Sequence, residues 1–556
     1  MKRCLRRIKD YNTATMGIPF YFKNIVSKHP DIVKKPTPQC QRLYLDYNCI
    51  VHQCAAQVTK DCASTDVDRI HDRVIQAAIE YIDSICDVCE PKELLYISVD
   101  GVCPRAKMSQ QRKRRYMSVW QKREMERERT RLCLPAVSDV WDSNIVTPGT
   151  PFMNKLDSRL TEYATKKSKG GLRVVCSPSS ERGEGEHKIV QHLRGDTGAK
   201  NNDTVIYGLD ADLILLSLIL RDGGDGPAVK LLRERPEFNV RMSENAPFCM
   251  LDIGELEASI HESFCENDEE FGIREKVRDL VMLTTLVGND FLPPLSYLKI
   301  KEGGLDTLIK AYNAAREVCG SHMRLVAPEG DCNWLFLDAV LKALLKNEDV
   351  NFAAANDAYY KRKPFQFHTQ DPGNPLWQKQ YELDNYTVFN RFKGKINATK
   401  PGWQQDYYTQ LFGSSDDVQN ACRKYVDGLE WNFEYYLHGN RAPGSRWYYP
   451  YVYSPTIKDL SNYVAMRMCV QDYTTCAFDM FDYTSDLQLL MVLPPESIRK
   501  FLPHRAPVTD DPKHGCMDMY PSEFKIVTYL KHQLWECSPL LPPIDEDRLK
   551  KYITGL

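Results

Sequence analysis

Seven carboxylates stand in five short stretches of this chain. They are Asp46 in RLYLDYN, Asp100 in LLYISVDG, Glu184 and Glu186 in GEGEHK, Asp210 and Asp212 in YGLDADL, and Asp290 in LVGNDFLPP. Brought together, they would repel one another strongly, and they stay ionised in one place only if cations sit among them. The candidate ligand atoms are all oxygens, which favours Mg²⁺ or Mn²⁺ over zinc. A separate stretch carries Lys107, Gln111, Arg114 and Arg115 at i, i+4, i+7 and i+8. On a helix those positions share one face. Two guanidiniums, an ammonium and an amide on one face suit a terminal phosphate. Acids and phosphate-binding face together suit metal-assisted hydrolysis of a phosphodiester.

The elements that must position these groups are legible in the first half of the chain. Short apolar runs at residues 43–46, 94–100, 173–177 and 204–210 are each followed by a helical pattern. That order predicts an α/β fold with a mixed, largely parallel central sheet flanked by helices. Ligands bind beyond the carboxyl ends of strands in such sheets, and Asp46, Asp100 and Asp210 each fall at such an end. Glu184 and Glu186 lie in a glycine-flanked turn that opens a helix, where glycine lets the backbone approach closely. Residues 274–290 read as a helix ending in a Gly-Asn-Asp turn. Residues 316–400 show weaker patterning and read as a variable connector. From Trp403 onward the chain is dense in aromatics (WQQDYY, YVDGLEWNFEYYLHG, RWYYPYVYSP), which predicts a second, mainly helical region packed against the first.

Composition bounds the rest. At 556 residues the chain is long enough for two or more domains. It has no apolar run of membrane-spanning length. Residues 1–15 are basic and lack an apolar core segment, so they read as an extension rather than a secretory signal. The net charge of −2 does not exclude nucleic acid, because an acidic metal site and the basic cluster between Arg105 and Arg131 cancel in the sum. The nineteen cysteines include one CxxC, Cys86 and Cys89, with no second pair at zinc spacing. They read as reduced thiols in an intracellular reducing compartment, and the cytoplasm is expected ahead of the nucleus.

These residues resemble the Xrn family of 5′→3′ exoribonucleases. The likeness begins with MGIPFYFKNI at Met16 and runs through LYLDYNCIVHQC, VDGVCPRAKMSQQRKRR, SNIVTPGTPFM, GEGEHK, YGLDADL and LVGNDFLPPL. It resumes with YVDGLEWNFEYYLHG, WYYPYVYSP and WECSPLLPPIDEDRL. The resemblance implies a PIN-like and flap-nuclease-like catalytic domain over residues 16–315, completed by residues 401–556. It implies a processive exonuclease that releases mononucleotides from single-stranded RNA bearing a 5′ monophosphate, acting as a monomer with two metal ions. It assigns the metal to Asp46, Asp100, Glu184, Glu186, Asp210, Asp212 and Asp290, and the 5′ phosphate to Lys107, Gln111, Arg114 and Arg115. It gives His52 and Trp447 the role of stacking on the terminal base. The fifteen residues ahead of Met16, the early end after IDEDRL and the missing Cys/His zinc knuckle depart from the family and suggest a compact catalytic core.

Each residue taken alone has an ordinary role. An Asp after a strand often caps a helix. Glu184 and Glu186 suit an exposed first turn, and Lys107 to Arg115 a solvated basic face. His52 and Trp447 suit a core. Those readings would all have to hold at once, in the family's order. A flap-type DNA endonuclease and a catalytically inactive RNA-binding scaffold are the alternatives.

Overall fold

The computed structural model describes residues 21–36, 39–61, 66–135, 141–196, 203–234, 247–264, 272–327, 330–365, 373–394, 396–414, 417–442, 445–470, 483–512 and 516–555. The basic extension at residues 1–15 and the first five residues of the motif that begins at Met16 lie outside the described residues. Among the described residues, seven strands form the main sheet: β1 (Val33–Lys34), β2 (Arg42–Asp46), β3 (Leu94–Ser98), β4 (Arg173–Ser177), β5 (Thr204–Tyr207), β6 (Val229–Glu234) and β7 (Phe248–Asp252). Their order is β1-β7-β6-β5-β2-β3-β4. The five strands from β6 to β4 are parallel, and β7 and β1 add antiparallel at one edge.

The central strands are short apolar runs without polar alternation because both faces of the sheet are covered. Leu43, Leu45, Leu95, Ile97, Val205 and Tyr207 point into one core. Tyr44, Leu94, Tyr96 and Ile206 point into the other. The register matches that alternation, with Leu43 opposite Leu95 and Val205, and Tyr44 opposite Tyr96 and Ile206. From β2 the chain winds outward through β3 and β4, then returns to the other side of β2 for β5 and β6. The winding direction therefore reverses at β2, and a crevice opens there beyond the strand ends.

Among the described residues, nine α-helices accompany this half: α1 (Tyr21–Lys28), α2 (Tyr47–Asp61), α3 (Val67–Cys89), α4 (Arg105–Arg131), α5 (Pro151–Ser168), α6 (Gly185–Gly195), α7 (Asp212–Arg221), α8 (Ile253–Ser263) and α9 (Ile273–Thr285). In α3, the Asp66 side chain caps the backbone N–H groups of Asp68 and Arg69, and a single apolar face is buried. In α7, DLILLSLIL is apolar all round because the helix is buried on every side, between α6, α8, α9 and the Val418–His438 helix.

The second half is mainly helical and shares a core with the first. The helices Gly304–Cys319, Trp334–Leu345 and Ile457–Val470 pack together. Residues 316–400, where sequence patterning is weak, hold the helices Trp334–Leu345 and Glu348–Lys361. Phe336, Leu337, Val340 and Leu341 from the first of these are buried in the common core. Near the C-terminus, the Ser485–Val492 helix packs on α4 and on the Glu546–Thr554 helix. Among the described residues, no helix is long and apolar enough to cross a membrane.

One buried carboxylate ties α9 to this second half. Asp279 is fully buried and accepts from the backbone N–H groups of Leu325 and Val326, both at 2.8 Å, and from the Tyr312 hydroxyl. Asp279→Ala leaves these donors unmatched in the core. The expected loss is about 2–4 kcal/mol of stability, read as a lower denaturation midpoint.

Candidate active site

Three adjacent strands deliver the first carboxylates. Asp46 ends β2, Asp100 lies two residues past β3, and Asp210 lies three residues past β5. Asn48 fixes Asp100 reciprocally. Its Nδ2 donates to Asp100 Oδ2 at 2.9 Å, and its Oδ1 accepts from the Asp100 backbone N–H at 3.1 Å. The N-terminus of α6 closes on this pair, with the Gly185 N–H donating to Asp100 Oδ1 at 2.6 Å. That contact uses an unpaired N–H at the positive end of a helix. It also requires glycine: a Cβ on Gly185 would stand 2.9 Å from Asp46 Oδ1 and 3.3 Å from Asp100 Oδ1. Lys188, one turn on, donates to the carbonyls of Val99 and Pro178 at 2.8 Å each and holds α6 against the strand ends.

The remaining acids come from α6, α7 and the turn after α9. Glu184 occupies the cap position of α6 but makes no capping bond. Its carboxylate turns instead to the Lys107 ammonium at 2.5 Å and accepts from the Tyr435 hydroxyl at 2.8 Å. Asp210 accepts from the Asp212 N–H at 3.0 Å and so starts α7. Gly288, at φ +91°, turns the chain back sharply enough that a Cβ there would meet Pro294 at 2.7 Å. Asn289 then accepts from the N–H groups of Phe291 and Leu292, both at 3.0 Å, so that Asp290 projects inward. Asp290 meets Lys107 at 3.0 Å.

The acids act on one another electrically. Burial, then Asp100 and Asp210, raises the Asp46 carboxyl well above its ordinary range. Burial also raises Glu186, with Asp210 and Glu184 adding, and raises Asp212, with Asp210 and Asp290 adding. Glu184 and Asp210 shift upward for the same first reason. Burial alone would lower the Lys107 ammonium, but Glu184, Asp290, Glu186 and Asp210 outweigh it and hold the group well above its usual range. All seven predicted acids thus meet in one mostly buried cluster around one lysine.

The donor set fits a divalent cation. Glu186 Oε2 and Asp212 Oδ1 are buried and accept no hydrogen bond among the described residues. Ligand atoms of Glu184, Glu186 and His187 lie within 4.8 Å of one another. Carboxylate oxygens in that density are the chemistry of a hard-cation site.

The phosphate-binding face lies along α4. Lys107 is engaged with the acids, while Gln111 and Arg115 continue the same face. Gln111 Oε1 and Arg115 Nη1 are buried and unpartnered among the described residues. Burial pushes the Arg115 guanidinium down to about 10, with Arg114 adding. Arg114 is exposed. His52, on α2, is exposed. Desolvation by its surroundings, then the charges of Arg114 and Arg115, lower its imidazole below the ordinary range. His52 and the α4 face therefore share one neighbourhood.

Trp447 does not join them. It is only 6% exposed and stacks on Trp431 at 4.9 Å, which in turn stacks on Tyr435 at 5.1 Å. Among the described residues no contact joins Trp447 to His52. One face of its ring packs on Trp431, so the expected His52–Trp447 sandwich around a base is not formed by contacts among the described residues.

Sequence reading missed Asn48, His187, Lys188 and Tyr435. The first three stand beside predicted acids, so their spacing offered a signal. Tyr435 lies 251 residues from the Glu184 it binds, and nothing local marks it.

Two outcomes follow from this electrostatics and packing. Glu186→Gln removes a repelled carboxylate, so in EDTA the variant should be more stable than the parent by about 1 kcal/mol or more. The same variant should lose most of the thermal stabilisation that Mg²⁺ gives the parent; a lower melting temperature in EDTA would contradict the arrangement. Trp447→Ala should cost about 3–5 kcal/mol of stability, whereas a stacking platform would lose RNA affinity at unchanged stability.

Comparison with known proteins agrees with this geometry. Residues 16–235 match the family model described as XRN 5′-3′ exonuclease N-terminus, and residues 270–374 and 360–556 match the Xrn1 helical domain. The chain is 29% identical to 5′-3′ exoribonuclease 1 of Homo sapiens, over 96% of this chain and 34% of that protein. It is 26% identical to 5′-3′ exoribonuclease 2 of Gallus gallus, over 96% of this chain and 69% of that protein. With 5′-3′ exoribonuclease 1 of Schizosaccharomyces pombe it shares 27% identity, over 96% of this chain and 48% of that protein. The chain thus spans about a third of the human relative's length. Matched across both its sheet-bearing and its helical halves, the chain belongs to the Xrn family.

Proposed function

We propose that this chain is a processive 5′→3′ exoribonuclease that hydrolyses 5′-monophosphorylated single-stranded RNA to mononucleotides in RNA decay. The observation that carries the reading is the meeting of seven carboxylates with the α4 face of Lys107, Gln111, Arg114 and Arg115. An internal cutter has no need of such a face beside its acids. The names of the relatives, all 5′-3′ exoribonucleases, support the direction and the RNA substrate.

Asp46, Asp100, Glu184, Glu186, Asp210, Asp212 and Asp290 would hold two ions, Mg²⁺ or Mn²⁺. When bound, such ions lower the pKa of the attacking water and neutralise charge on the scissile phosphate. The chain's own groups set the geometry. Gly185 allows α6 to approach Asp46 and Asp100, and Asn48 and the helix N-terminus orient Asp100. Gln111 and Arg115 offer unpartnered polar atoms to a terminal phosphate, with Arg114 at the exposed side. Lys107 belongs to both halves of the site, on the phosphate face by position and among the acids by contact. His52, held neutral, offers a flat ring to the first base, and such stacking tolerates any sequence at about 1–3 kcal/mol per base. A 5′ triphosphate is bulkier than this face accommodates. The chain would act as a monomer in the cytoplasm; the buried free thiols of Cys40, Cys54, Cys86 and Cys89 support a reducing compartment.

A time course on one RNA carrying a 5′ monophosphate, triphosphate or hydroxyl tests the reading. Mononucleotides should appear from the monophosphorylated RNA alone and vanish in EDTA. Asp210→Ala should lower the rate by roughly 10²-fold or more. Arg115→Gln should erase much of the preference for the monophosphate. Internal cuts regardless of end chemistry would make the protein an endonuclease, and binding without cleavage would make it a scaffold.

A further inference from the structure

A cavity of about 410 Å³ runs beside α4 on the side facing the turn that carries Asp290. That volume lies in the range of small-molecule sites. Asp290 and Arg114 are among its lining residues, so it is continuous with the carboxylate cluster and the phosphate-binding face. Its charged lining comes from four segments: α4, the turn that carries Asp290, residues 299–302 and the stretch from Lys531 to Glu536.

Most of those charges are matched. His532 pairs with Glu302 at 2.6 Å. Lys299 donates to the Leu530 carbonyl and stands 3.9 Å from Glu536. Lys113 and Lys531 are different: both line the cavity, and neither has an ion pair or hydrogen bond from its ammonium among the described residues. Lys531 only approaches the Tyr453 ring, 5.6 Å from its centre. Burial pushes each down to about 8; Lys531 adds to the effect on Lys113, and Lys299 to that on Lys531. Two half-buried ammoniums lining one cavity, only Lys531 of them favoured by the nearby Glu536 carboxylate, are stabilised by an anion between them. Two further lining atoms lack partners among the described residues, the Gln110 Oε1 acceptor and the Asn289 Nδ2 donor, both buried. Phe291, Pro293, Tyr449 and Trp535 supply apolar and aromatic surface.

We propose that this cavity binds a nucleoside 5′-monophosphate. Its phosphate would lie on Lys113 and Lys531, its ribose hydroxyls on Gln110 and Asn289, and its base against the aromatic wall. The identity of the ligand rests on the exonuclease reading, of which this nucleotide is the product. The shared border at Asp290 and Arg114 gives the released nucleotide a path, and its retention would slow the next cycle.

Calorimetric titration of the intact chain with AMP, in EDTA and without RNA, tests the site without any turnover. An AMP site separate from the phosphate-binding face should appear, with adenosine and inorganic phosphate each at least tenfold weaker there. Lys113→Gln and Lys531→Gln should each weaken AMP at least tenfold, Lys531→Arg should retain it, and Arg115→Gln should change it less than twofold. AMP binding lost in Arg115→Gln but kept in Lys531→Gln would overturn the proposal by placing the nucleotide on the phosphate-binding face. No AMP binding, with Lys531→Gln weakening a longer RNA instead, would overturn it by making the cavity a path for the strand. AMP binding as expected in a chain that cleaves no RNA would sink the exonuclease reading and leave the site standing.

Discussion

Mutual repulsion among seven carboxylates, four of them buried, is the constraint around which the molecule is arranged. At the effective dielectric near a protein surface, two like charges about 4 Å apart repel by about 4 kcal/mol. A typical domain is stable by only about 5–15 kcal/mol in all. A few such pairs therefore rival the whole margin, and the acids stay together only because rigid packing holds them. Two apolar cores, one on each face of the sheet, fix β2, β3 and β5 so that their carboxyl ends cannot spread. Lys107, held among Glu184 and Asp290, supplies the positive charge from within the chain.

α4 is where the two halves of the chain become one site. One side of this 27-residue helix carries Lys107, Gln111 and Arg115 toward the acids. Elsewhere along it, Arg105 pairs with Glu546 at 2.7 Å in a buried contact, and Arg112 donates to the carbonyls of Pro542 and Met519. The C-terminal segment thus clamps the helix that presents the phosphate-binding groups. The Val418–His438 helix does the same for Glu184, through the hydroxyl of Tyr435 and the Trp431 and Trp447 stack behind it. A site built this way is distributed over the chain, and loosening either half would misplace groups in the other.

Much of this was already written in the sequence. Apolar runs ending in Asp, each followed by a helical pattern, give a parallel sheet with acids at its working edge whatever the strand order, because side-chain position at a strand's end is a local property. The i, i+4, i+7, i+8 spacing on α4 is equally local. So is the glycine of GEGEHK, whose missing Cβ lets α6 reach Asp46 and Asp100.

Other features were decided by contacts that no local pattern encodes. The weakly patterned residues 316–400 contribute a buried helix, because periodicity fades when a helix is covered on several sides. Trp447, in an aromatic run that suits a binding platform or a core equally well, was sent to the core by the close approach of Trp431 and Gly428. Tyr435 found Glu184 across 251 residues, and Lys113 and Lys531 came to share one cavity from segments more than four hundred residues apart. Sequence alone determined which groups could do the chemistry and which edge of the sheet would carry them. Only the tertiary structure decided which of them meet, since burial and neighbouring charge are properties of a place in the fold rather than of a residue in the chain.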